Sequence, residues 1–401
     1  MDEQRPVQDW STDFNIYDAD YTKDPAPVWK ELQQRCPVAH SNRWGGMWMA
    51  TRYEDAQTLV KETGVLSNRQ VSIAPMPEGS DLLADRHSEL NPPITLDPPR
   101  HQPVKRLILP FFTTKAVEAH RPFTEALCNE LIDGFIDKGR CDGAADYAQQ
   151  ITPRVISHMI GIDPNRSDEF VDWVRGFIEQ GFDDIERRVQ SLRTMQAFFD
   201  EMIAERRREP RGDYISQLLE KDLDGKKLDD QMITNLCVLL LIAGIDTTWS
   251  SLGSSLLHFA THEDDRRRLA ADPDLFPTAI EEMLRFHAPV SVGRVAMEDM
   301  EYEGHSIKRG ERMMINLPAA CRDPEVFERP DEVLIDRQKN RHIAFGIGIH
   351  RCAGSNLARM EMDVALRTWF KRIPEFTLTD PERVAWAPGQ VRGARCVPIQ
   401  F

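Results

Sequence analysis

The chain has 401 residues, of which 41% are hydrophobic, and a formal net charge of -15 at pH 7. A mean hydropathy of -0.47 with this apolar content predicts a soluble globular protein with a large core. The acidic charge argues against nucleic acid as a partner, because it repels a phosphate backbone.

The start of the chain, the apolar runs and the cysteines bear on localisation. The first residues, MDEQRPVQDWSTDFN, are acidic and lack the basic start and apolar centre of a signal peptide. The longest apolar run, residues 236–245, is about half as long as a membrane span. Seven scattered cysteines without CxxC or zinc-like spacing favour reduced core thiols. We therefore expect a cytoplasmic protein with no membrane partner.

The first part of the chain is predicted to mix helices and strands. The pattern indicates a short helix at residues 26–35, strands near 38–40 and 47–52, and another helix from Tyr53. Residues 66–99 are rich in proline and contain no phenylalanine, tyrosine or tryptophan, which predicts a long irregular loop. Loops of this length are commonly functional.

The rest of the chain is predicted to be helical until about residue 288, and mixed beyond it. The clearest helical stretches are residues 152–162, 167–181, 184–208, 229–262 and, near the end, 353–371. No linker or repeat marks a boundary, so we predict one domain, mainly α with small β-sheets (α+β). Its parts are a β-containing region (1–65), a mobile loop (66–99), a helical core (100–288) and a mixed C-terminal region (289–401).

One cysteine lies in an unusual loop, FGIGIHRCAG, at residues 345–354. Cys352 comes directly before a helical stretch, and the helix N-terminus favours a thiolate there. Amides of the next turn could donate hydrogen bonds to the sulfur, while Phe345 could exclude water. Such a thiolate would suit iron as an axial ligand. The ordinary alternative for a single cysteine is a small buried hydrophobe.

Two shorter motifs precede this loop. In AGIDTT, residues 243–248, Asp246 and Thr247 interrupt an apolar helix, and their burial costs free energy without partners. Thr247 can bond to a carbonyl one turn earlier and, with Gly244, open the helix to dioxygen or water; a polar turn facing away from the core is the alternative. In EEMLR, Glu282 and Arg285 can pair across one turn, although this spacing alone is weak.

Together these motifs resemble the cytochrome P450 family. FGIGIHRCAG matches the cysteine-loop signature FxxGxHxCxG at every fixed position, and AGIDTT, EEMLR and GRV (residues 293–295) stand in the family's order. The similarity covers nearly the whole chain and is closest to bacterial members. It implies the P450 fold, a triangular prism with haem between the long central helix and the helix after the cysteine loop.

The resemblance also implies roles for individual residues. Cys352 is the metal ligand of haem b, protoporphyrin IX iron, and the Cys thiolate pushes electron density toward O–O cleavage. Asp246 and Thr247 are the catalytic acid–alcohol pair that supplies protons. A structural ion network consists of Glu282, Arg285 and Arg337. The haem contacts are His101, Lys105, Arg294, His350, Phe345, Gly346, Ala353 and Gly354.

One of these positions departs from the family pattern. The usual HxxxR motif is here His101 followed by Lys105, with Arg106 next. Lysine keeps the charge but lacks the bidentate fork of arginine. Either Lys105 binds a haem propionate as a point charge or Arg106 takes its place.

The implied activity is monooxygenation with electrons from a separate protein. No flavin or nicotinamide fingerprint occurs in the chain, so we expect a ferredoxin or flavodoxin with an NAD(P)H-dependent reductase, and a monomeric enzyme. A basic patch could attract an acidic redox partner, although charges spread over a wet surface are the alternative. This patch consists of Arg100, Lys105, Arg106, Arg351 and Arg359.

The family positions of the substrate pocket are aliphatic, which predicts an apolar substrate recognised by shape. They are Leu239, Ile242, Ala243, Val290, Val292 and Val391, with Val71, Ile73, Met76 and Leu82 or Leu83 in the closing loop. The absence of large aromatic rings from that loop favours a terpenoid, with a small aromatic, a fatty acid or a steroid as options. Lid-helix residues that could also reach the pocket are Trp173, Phe177 and Phe182. The alternative functions are a peroxide-driven peroxygenase and a haem sensor.

Overall fold

Helices account for most of the residues that the computed structural model describes, which are 5–73, 91–181 and 184–401. The N-terminal elements are α1 (Trp10–Asp13), α2 (Ala19–Lys23), α3 (Ala26–Arg35), β1 (Val38–Ser41), β2 (Met47–Ala50), α4 (Tyr53–Lys61) and β3 (Leu66–Ser67). The central elements are α5 (His101–Ile108), α6 (Thr114–Glu118), α7 (Arg121–Asp133), β4 (Arg140–Asp142), α8 (Gln149–Ile160), α9 (Ser167–Ile178), α10 (Ile185–Arg208), α11 (Tyr214–Leu219), β5 (Asp222–Leu223), β6 (Lys226–Lys227), α12 (Asp230–Thr261), α13 (Glu263–Ala271) and α14 (Phe276–Phe286). The C-terminal elements are β7 (Val292–Ala296), β8 (Met300–Tyr302), β9 (His305–Ile307), β10 (Arg312–Ile315), α15 (Leu317–Ala320), α16 (Ser355–Arg372), β11 (Thr377–Leu378), β12 (Ala385–Trp386), β13 (Ala394–Cys396) and β14 (Pro398–Gln400).

The strands form small sheets at the edges of the helical core. The largest described sheet has the order β1-β2-β10-β7-β3, in which β10 runs parallel to β2 and the other pairs are antiparallel. A second sheet has the order β11-β14-β4, and three two-stranded ladders are β12-β13, β5-β6 and β8-β9. The prediction of a mainly α protein with small β-sheets is confirmed.

The structure differs from the predicted elements in two places: the predicted helical core at residues 100–288 also contains the short strands β4, β5 and β6, and the loop at residues 66–99 begins with a strand. Its first two residues form β3, because Leu66 pairs with Ala296 and Ser67 with Val295 of β7. A two-residue strand at a sheet edge carries too little pattern to be recognised in a sequence. Residues 74–90, which include the predicted closing side chains Met76, Leu82 and Leu83, lie outside the described residues.

The centre of the fold is α12, whose N-terminus is capped by Asp229 through a hydrogen bond from the amide of Met232 at 2.8 Å. Among the described residues it is the one helix long and apolar enough to cross a membrane, yet 72% of that stretch is buried inside the fold. It packs against α8, α9, α10 and α16. Its apolar character is therefore that of a core helix.

Two glycines let the segment around β13 lie directly against α12. A Cβ atom on Gly253 would stand 2.9 Å from the carbonyl oxygen of Ala394, and one on Gly393 would overlap the side chain of Ser250. Neither position has room for a side chain. The close approach brings Arg395, on β13, to the middle of α12.

Candidate active site

A cavity of about 270 Å³ separates the middle of α12 from the loop that carries Cys352. One wall consists of apolar side chains of α12 and of the segment leading into β7. The opposite wall consists of the cysteine loop, the start of α16 and part of α5. Predicted site residues that line it are His101, Lys105, Leu239, Ala243, Thr247, Val290, Val292, Phe345, Gly346, His350, Cys352, Ala353 and Gly354.

The sulfur of Cys352 is presented to this cavity by the backbone of its loop. The Cys352 amide donates to the carbonyl of Phe345 at 2.8 Å, which closes the loop. Gly346 and Gly348 have φ values of +66° and +69°, which L side chains rarely adopt. Of the seven cysteines only Cys352 is exposed, and its accessible surface faces the cavity.

The electrostatic surroundings of Cys352 suit a metal-bound thiolate. Burial raises the pKa of this thiol, while the amide of Gly354 and the cationic side chains Lys105, Arg351 and Arg359 act in the opposite direction. A coordinated metal ion supplies the positive charge that holds such a thiol deprotonated. The donor set therefore fits a cationic metal centre.

Three buried nitrogen atoms, two of them on His101 and His350 of the cavity wall and one on Arg294, which lies outside the lining but close enough to add to burial in lowering the pKa of His350, have no hydrogen-bond partner among the described residues. They are Nδ1 of His101, Nε2 of His350 and Nε of Arg294. Burial lowers the pKa of Arg294 to about 10, with a partial offset from Asp97, and lowers the pKa of His101 to about 4. Buried donors without acceptors are costly. An anionic group such as a haem propionate would satisfy them, so these residues fit a haem.

Lys105 has a different set of contacts. Its ammonium donates to the carbonyl oxygens of Ile349 at 2.5 Å and Arg351 at 2.7 Å, on either side of His350. Arg106 is exposed, whereas Lys105 lines the cavity. Lys105 therefore stabilises the cysteine loop. Lys105, and not Arg106, lies close enough to contact a ligand in the cavity.

The two residues of the predicted acid–alcohol pair lie on different faces of α12. Thr247 lines the cavity, and its hydroxyl donates to the carbonyl of Ala243 at 2.9 Å, one turn earlier. Asp246 is 1% exposed and lies outside the cavity lining. Its Oδ1 atom accepts from Arg395 at 2.7 Å, and Arg395 also pairs with Glu179 at 3.2 Å.

This arrangement sets the proton affinity of Asp246. Burial raises its pKa, Arg395 acts in the opposite direction, and Glu179 adds to the increase. Arg395 was not predicted as a partner, because it lies 149 residues from Asp246 along the chain. No local pattern could have connected them.

The predicted pocket lining is corrected at two positions. Ile242 packs against the main hydrophobic core, and Val391 is buried and pairs with Val290 through the backbone, but neither residue is among those that line the cavity. Trp173 and Phe177 also pack against that core instead of lining the cavity, and Phe182 lies outside the described residues. Lining residues that were not predicted include Pro93, Ile94, Ile108, Phe112, Tyr214 and Leu284. Phe112 and Tyr214 add aromatic rings to a cavity wall whose predicted substrate-pocket residues were all aliphatic.

Glu282, Arg285 and Arg337 form one buried network behind the cysteine loop. Arg285 binds both carboxylate oxygens of Glu282 at 2.8 Å, and Arg337 binds Oε2 at 2.9 Å. Arg285 also donates to the carbonyls of Cys321, Pro330 and Glu332 at 2.8 to 3.0 Å. The network therefore ties α14 to the segment that leads into the cysteine loop.

The neighbouring residue Glu281 gives a testable dependence of stability on pH. Burial alone would raise its pKa, but hydrogen bonds from Arg359 (2.6 and 2.8 Å) and His342 (3.0 Å) outweigh burial and hold it at about 2. Because this pKa lies below the ordinary value of 4.5, the pairing stabilises the fold above that pH and is lost as pH falls toward 2. In urea unfolding, Glu281→Gln should flatten the loss of stability over this range.

The matched control is Glu54→Gln, which removes an exposed carboxylate from α4. This variant should lose stability in acid to the same extent as the parent protein. An unchanged acid profile in Glu281→Gln would show that this pairing does not contribute.

Comparisons with known proteins show the family and the fold. The family model for Cytochrome P450 matches residues 155–275 and 274–383. The polyketide biosynthesis cytochrome P450 PksS of Bacillus subtilis (strain 168) is 31% identical over 97% of this chain and 98% of its own. The solved structure of PksS matches with a TM-score of 0.86 at 30% identity, over 96% of this chain and 99% of that one.

Two further relatives span the chain. Cytochrome P450-terp of a Pseudomonas species is 30% identical over 94% of this chain and 93% of its own. The structure of P450BioI in complex with hexadec-9Z-enoic acid ligated acyl carrier protein has a TM-score of 0.84 at 28% identity, over 96% of this chain and 100% of that one. The predicted fold is therefore confirmed.

Proposed function

The chain belongs to the cytochrome P450 family and is a monooxygenase, and from this premise we propose that it hydroxylates or epoxidises a small apolar substrate with electrons from a separate redox partner. The observation that carries the proposal is Cys352, the one exposed cysteine, which faces an apolar cavity near three buried nitrogen atoms that have no partner in the described part of the chain. Cys352 can supply a thiolate ligand, and the three nitrogen atoms can donate hydrogen bonds to acidic groups.

We propose that the cofactor is haem b. Cys352 would hold its iron, while His101, Arg294 and His350 would bind its propionates, and Lys105 would hold the ligand loop in place. When bound, the haem supplies the activation of dioxygen and the transfer of one oxygen atom to the substrate. Phe345 lies in the cavity wall beside the cysteine and would keep water from its sulfur.

The proton supply is assigned to α12. Thr247 lies in the cavity wall, where its hydroxyl donates to Ala243 O at 2.9 Å, so it would have to turn away from that carbonyl to pass its proton into the cavity. Asp246 would resupply that proton from the opposite face of the helix. To do so its carboxylate must leave Arg395, so the pairing controls when the acid is available.

The substrate is proposed from the chemistry of the distal wall. Side chains there are mostly aliphatic, among them Leu239, Leu240, Val290 and Val292, which supports recognition by shape. A terpenoid-like molecule remains favoured, with a small aromatic, a fatty acid or a steroid as options. A solved relative carries a fatty acyl chain on its carrier protein, which supports the fatty acid option.

We propose a ferredoxin or flavodoxin with an NAD(P)H-dependent reductase as electron donor, and a cytoplasmic monomer. Of the predicted basic patch, Arg100, Arg106 and Arg351 are exposed. Lys105 and Arg359 are instead bonded inward, to the loop carbonyls and to Glu281. The patch that could attract an acidic partner is therefore smaller than the sequence suggested.

Reconstitution with ferredoxin, reductase and NAD(P)H tests the proposal, with Thr247→Val as the informative variant. The parent should form product in proportion to the NAD(P)H consumed. The variant should still consume NAD(P)H but form at least about 10-fold less product, because it lacks the proton carrier at the cavity wall.

The control is Ser255→Ala, which removes a hydroxyl with the same type of helix bond, to Ser251 O at 2.7 Å. It should behave like the parent. Product formation by the parent with hydrogen peroxide but never with ferredoxin would favour the peroxygenase, and turnover of no bound apolar compound would favour the haem sensor.

A further inference from the structure

Lys105, on α5, holds the loop that leads to Cys352 through two hydrogen bonds. Its ammonium donates to the carbonyl oxygen of Ile349 at 2.5 Å and to that of Arg351 at 2.7 Å. These carbonyls lie on either side of His350, directly before the cysteine. An ammonium suits this position because its three donors can point at separate acceptors, whereas the donors of an arginine lie in one plane.

The second of these bonds reaches the peptide group that carries Cys352. The carbonyl oxygen of Arg351 and the amide of Cys352 belong to the same peptide group, and this amide donates to the carbonyl of Phe345 at 2.8 Å. Lys105 therefore begins a chain of two hydrogen bonds that passes through one peptide plane and closes the cysteine loop. A cation on the carbonyl polarises the peptide and strengthens the bond that its amide donates. The orientation of the cysteine backbone thus depends on Lys105.

The ammonium also places a positive charge close to the sulfur. Lys105 and Cys352 both line the cavity. Burial raises the pKa of the Cys352 thiol, and of the three cations that oppose burial Lys105 has the largest effect. The other two are Arg351, which is exposed, and Arg359, whose guanidinium binds Glu281 at 2.6 and 2.8 Å. Solvent screens the first of these charges and a carboxylate offsets the second.

We propose that Lys105 is a positioning residue that tunes the electron donation of the Cys352 thiolate to the haem iron, through its two bonds to the cysteine loop and not through a propionate. The inference rests on the proposed function and adds a residue that adjusts the reduction potential of its cofactor. A positive charge beside the thiolate draws electron density toward itself and favours the ferrous iron, which carries one positive charge fewer than the ferric iron.

The test is Lys105→Gln, measured in the haem-loaded protein without a redox partner. Spectroelectrochemical titration should show a lower reduction potential, with the ratio of ferrous to ferric protein about tenfold smaller, or about 59 mV for a one-electron couple. Resonance Raman spectra should show the iron–sulfur stretch of the ferric protein at a higher frequency, because the sulfur donates more strongly. Lys105→Arg keeps the charge and should restore that ratio to within about twofold of the parent protein.

The control is Arg106→Gln, which removes a charge from the adjacent, exposed residue and should change neither the potential nor the stretch. An unchanged potential in Lys105→Gln, or an equal fall in Arg106→Gln, would overturn the proposal. A lower potential with an unchanged iron–sulfur stretch would also overturn it, because the charge would then act at a propionate.

Two further results separate this inference from the stability of the fold and from the proposed function. If Lys105→Gln does not hold haem, Lys105→Met, which nearly keeps the length of the side chain, repeats the measurement. Loss of haem from both variants would show that Lys105 only supports the fold, against the proposal. A parent protein without the red-shifted carbon monoxide band would overturn the proposed function itself, and this inference with it.

Discussion

Cys352→His should abolish the strongly red-shifted Soret band that the reduced parent protein gives with carbon monoxide, and should reduce monooxygenase activity below detection. The reason is the ligand chemistry of the cavity. The sulfur of Cys352 faces it beside the Gly354 amide and three cationic side chains, and a neutral imidazole has none of the electron donation of a thiolate. Haem content, measured by pyridine extraction, separates loss of the thiolate from loss of the cofactor.

The control for this substitution is Cys36→Ala. Cys36 is only partly buried, donates to the carbonyl of Val38 at the start of β1 at 3.4 Å, and is not among the residues that line the cavity. It should keep the parent spectrum. An imidazole-type band in the parent protein itself would show that Cys352 is not the ligand and would favour the sensor function.

Glu282→Gln should be the most destabilising single substitution in the cysteine-loop support, costing about 3–5 kcal/mol in free energy of unfolding. Both Glu282 and Arg285 have no exposed surface, so the change leaves a buried guanidinium without its counter-ion. The carboxylate also accepts from Arg337, from the amide of Leu334 and from Asn340. Chemical denaturation followed by circular dichroism measures this loss.

The matched control is Glu169→Gln, which breaks an ion pair with the same spacing on the surface, where Glu169 and Arg166 are both more than 40% exposed. Solvent screening makes such a pair weak, so stability should hardly change. If both substitutions had equally small effects, the buried network would not be a main support of the loop.

Site residues could be predicted where the function requires a specific pattern within a short stretch of sequence. The cysteine loop requires glycine at positive φ near its ligand, so Gly346 and Gly348 appear in the sequence beside Cys352. The central helix α12 could be predicted because a long apolar stretch that begins with an aspartate cap can adopt few other structures. Helix-spaced pairs such as Glu282 and Arg285 could also be read directly.

What the sequence could not provide are contacts between distant segments. The partner of Asp246 comes from β13. The ammonium of Lys105 donates to carbonyls about 245 positions further along the chain, and nothing in the sequence of α5 indicates these contacts. Lining residues such as Tyr214 were missed for the same reason. Ile242 was expected in the pocket although its side of α12 packs against the core. Helix orientation in the folded protein decides such assignments.

The glycines at the crossing of α12 and β13 determine where this sequence can tolerate change. A mutational library that includes Gly253 or Gly393 should lose most of its folded members, because any side chain there displaces the strand that holds Asp246 through Arg395. Leu239 and Val290 end in open space in the cavity wall, where residues of other sizes can be accommodated. Residues of the cavity wall can therefore change, and with them the substrate range, while the side of the helix that carries Asp246 stays constant.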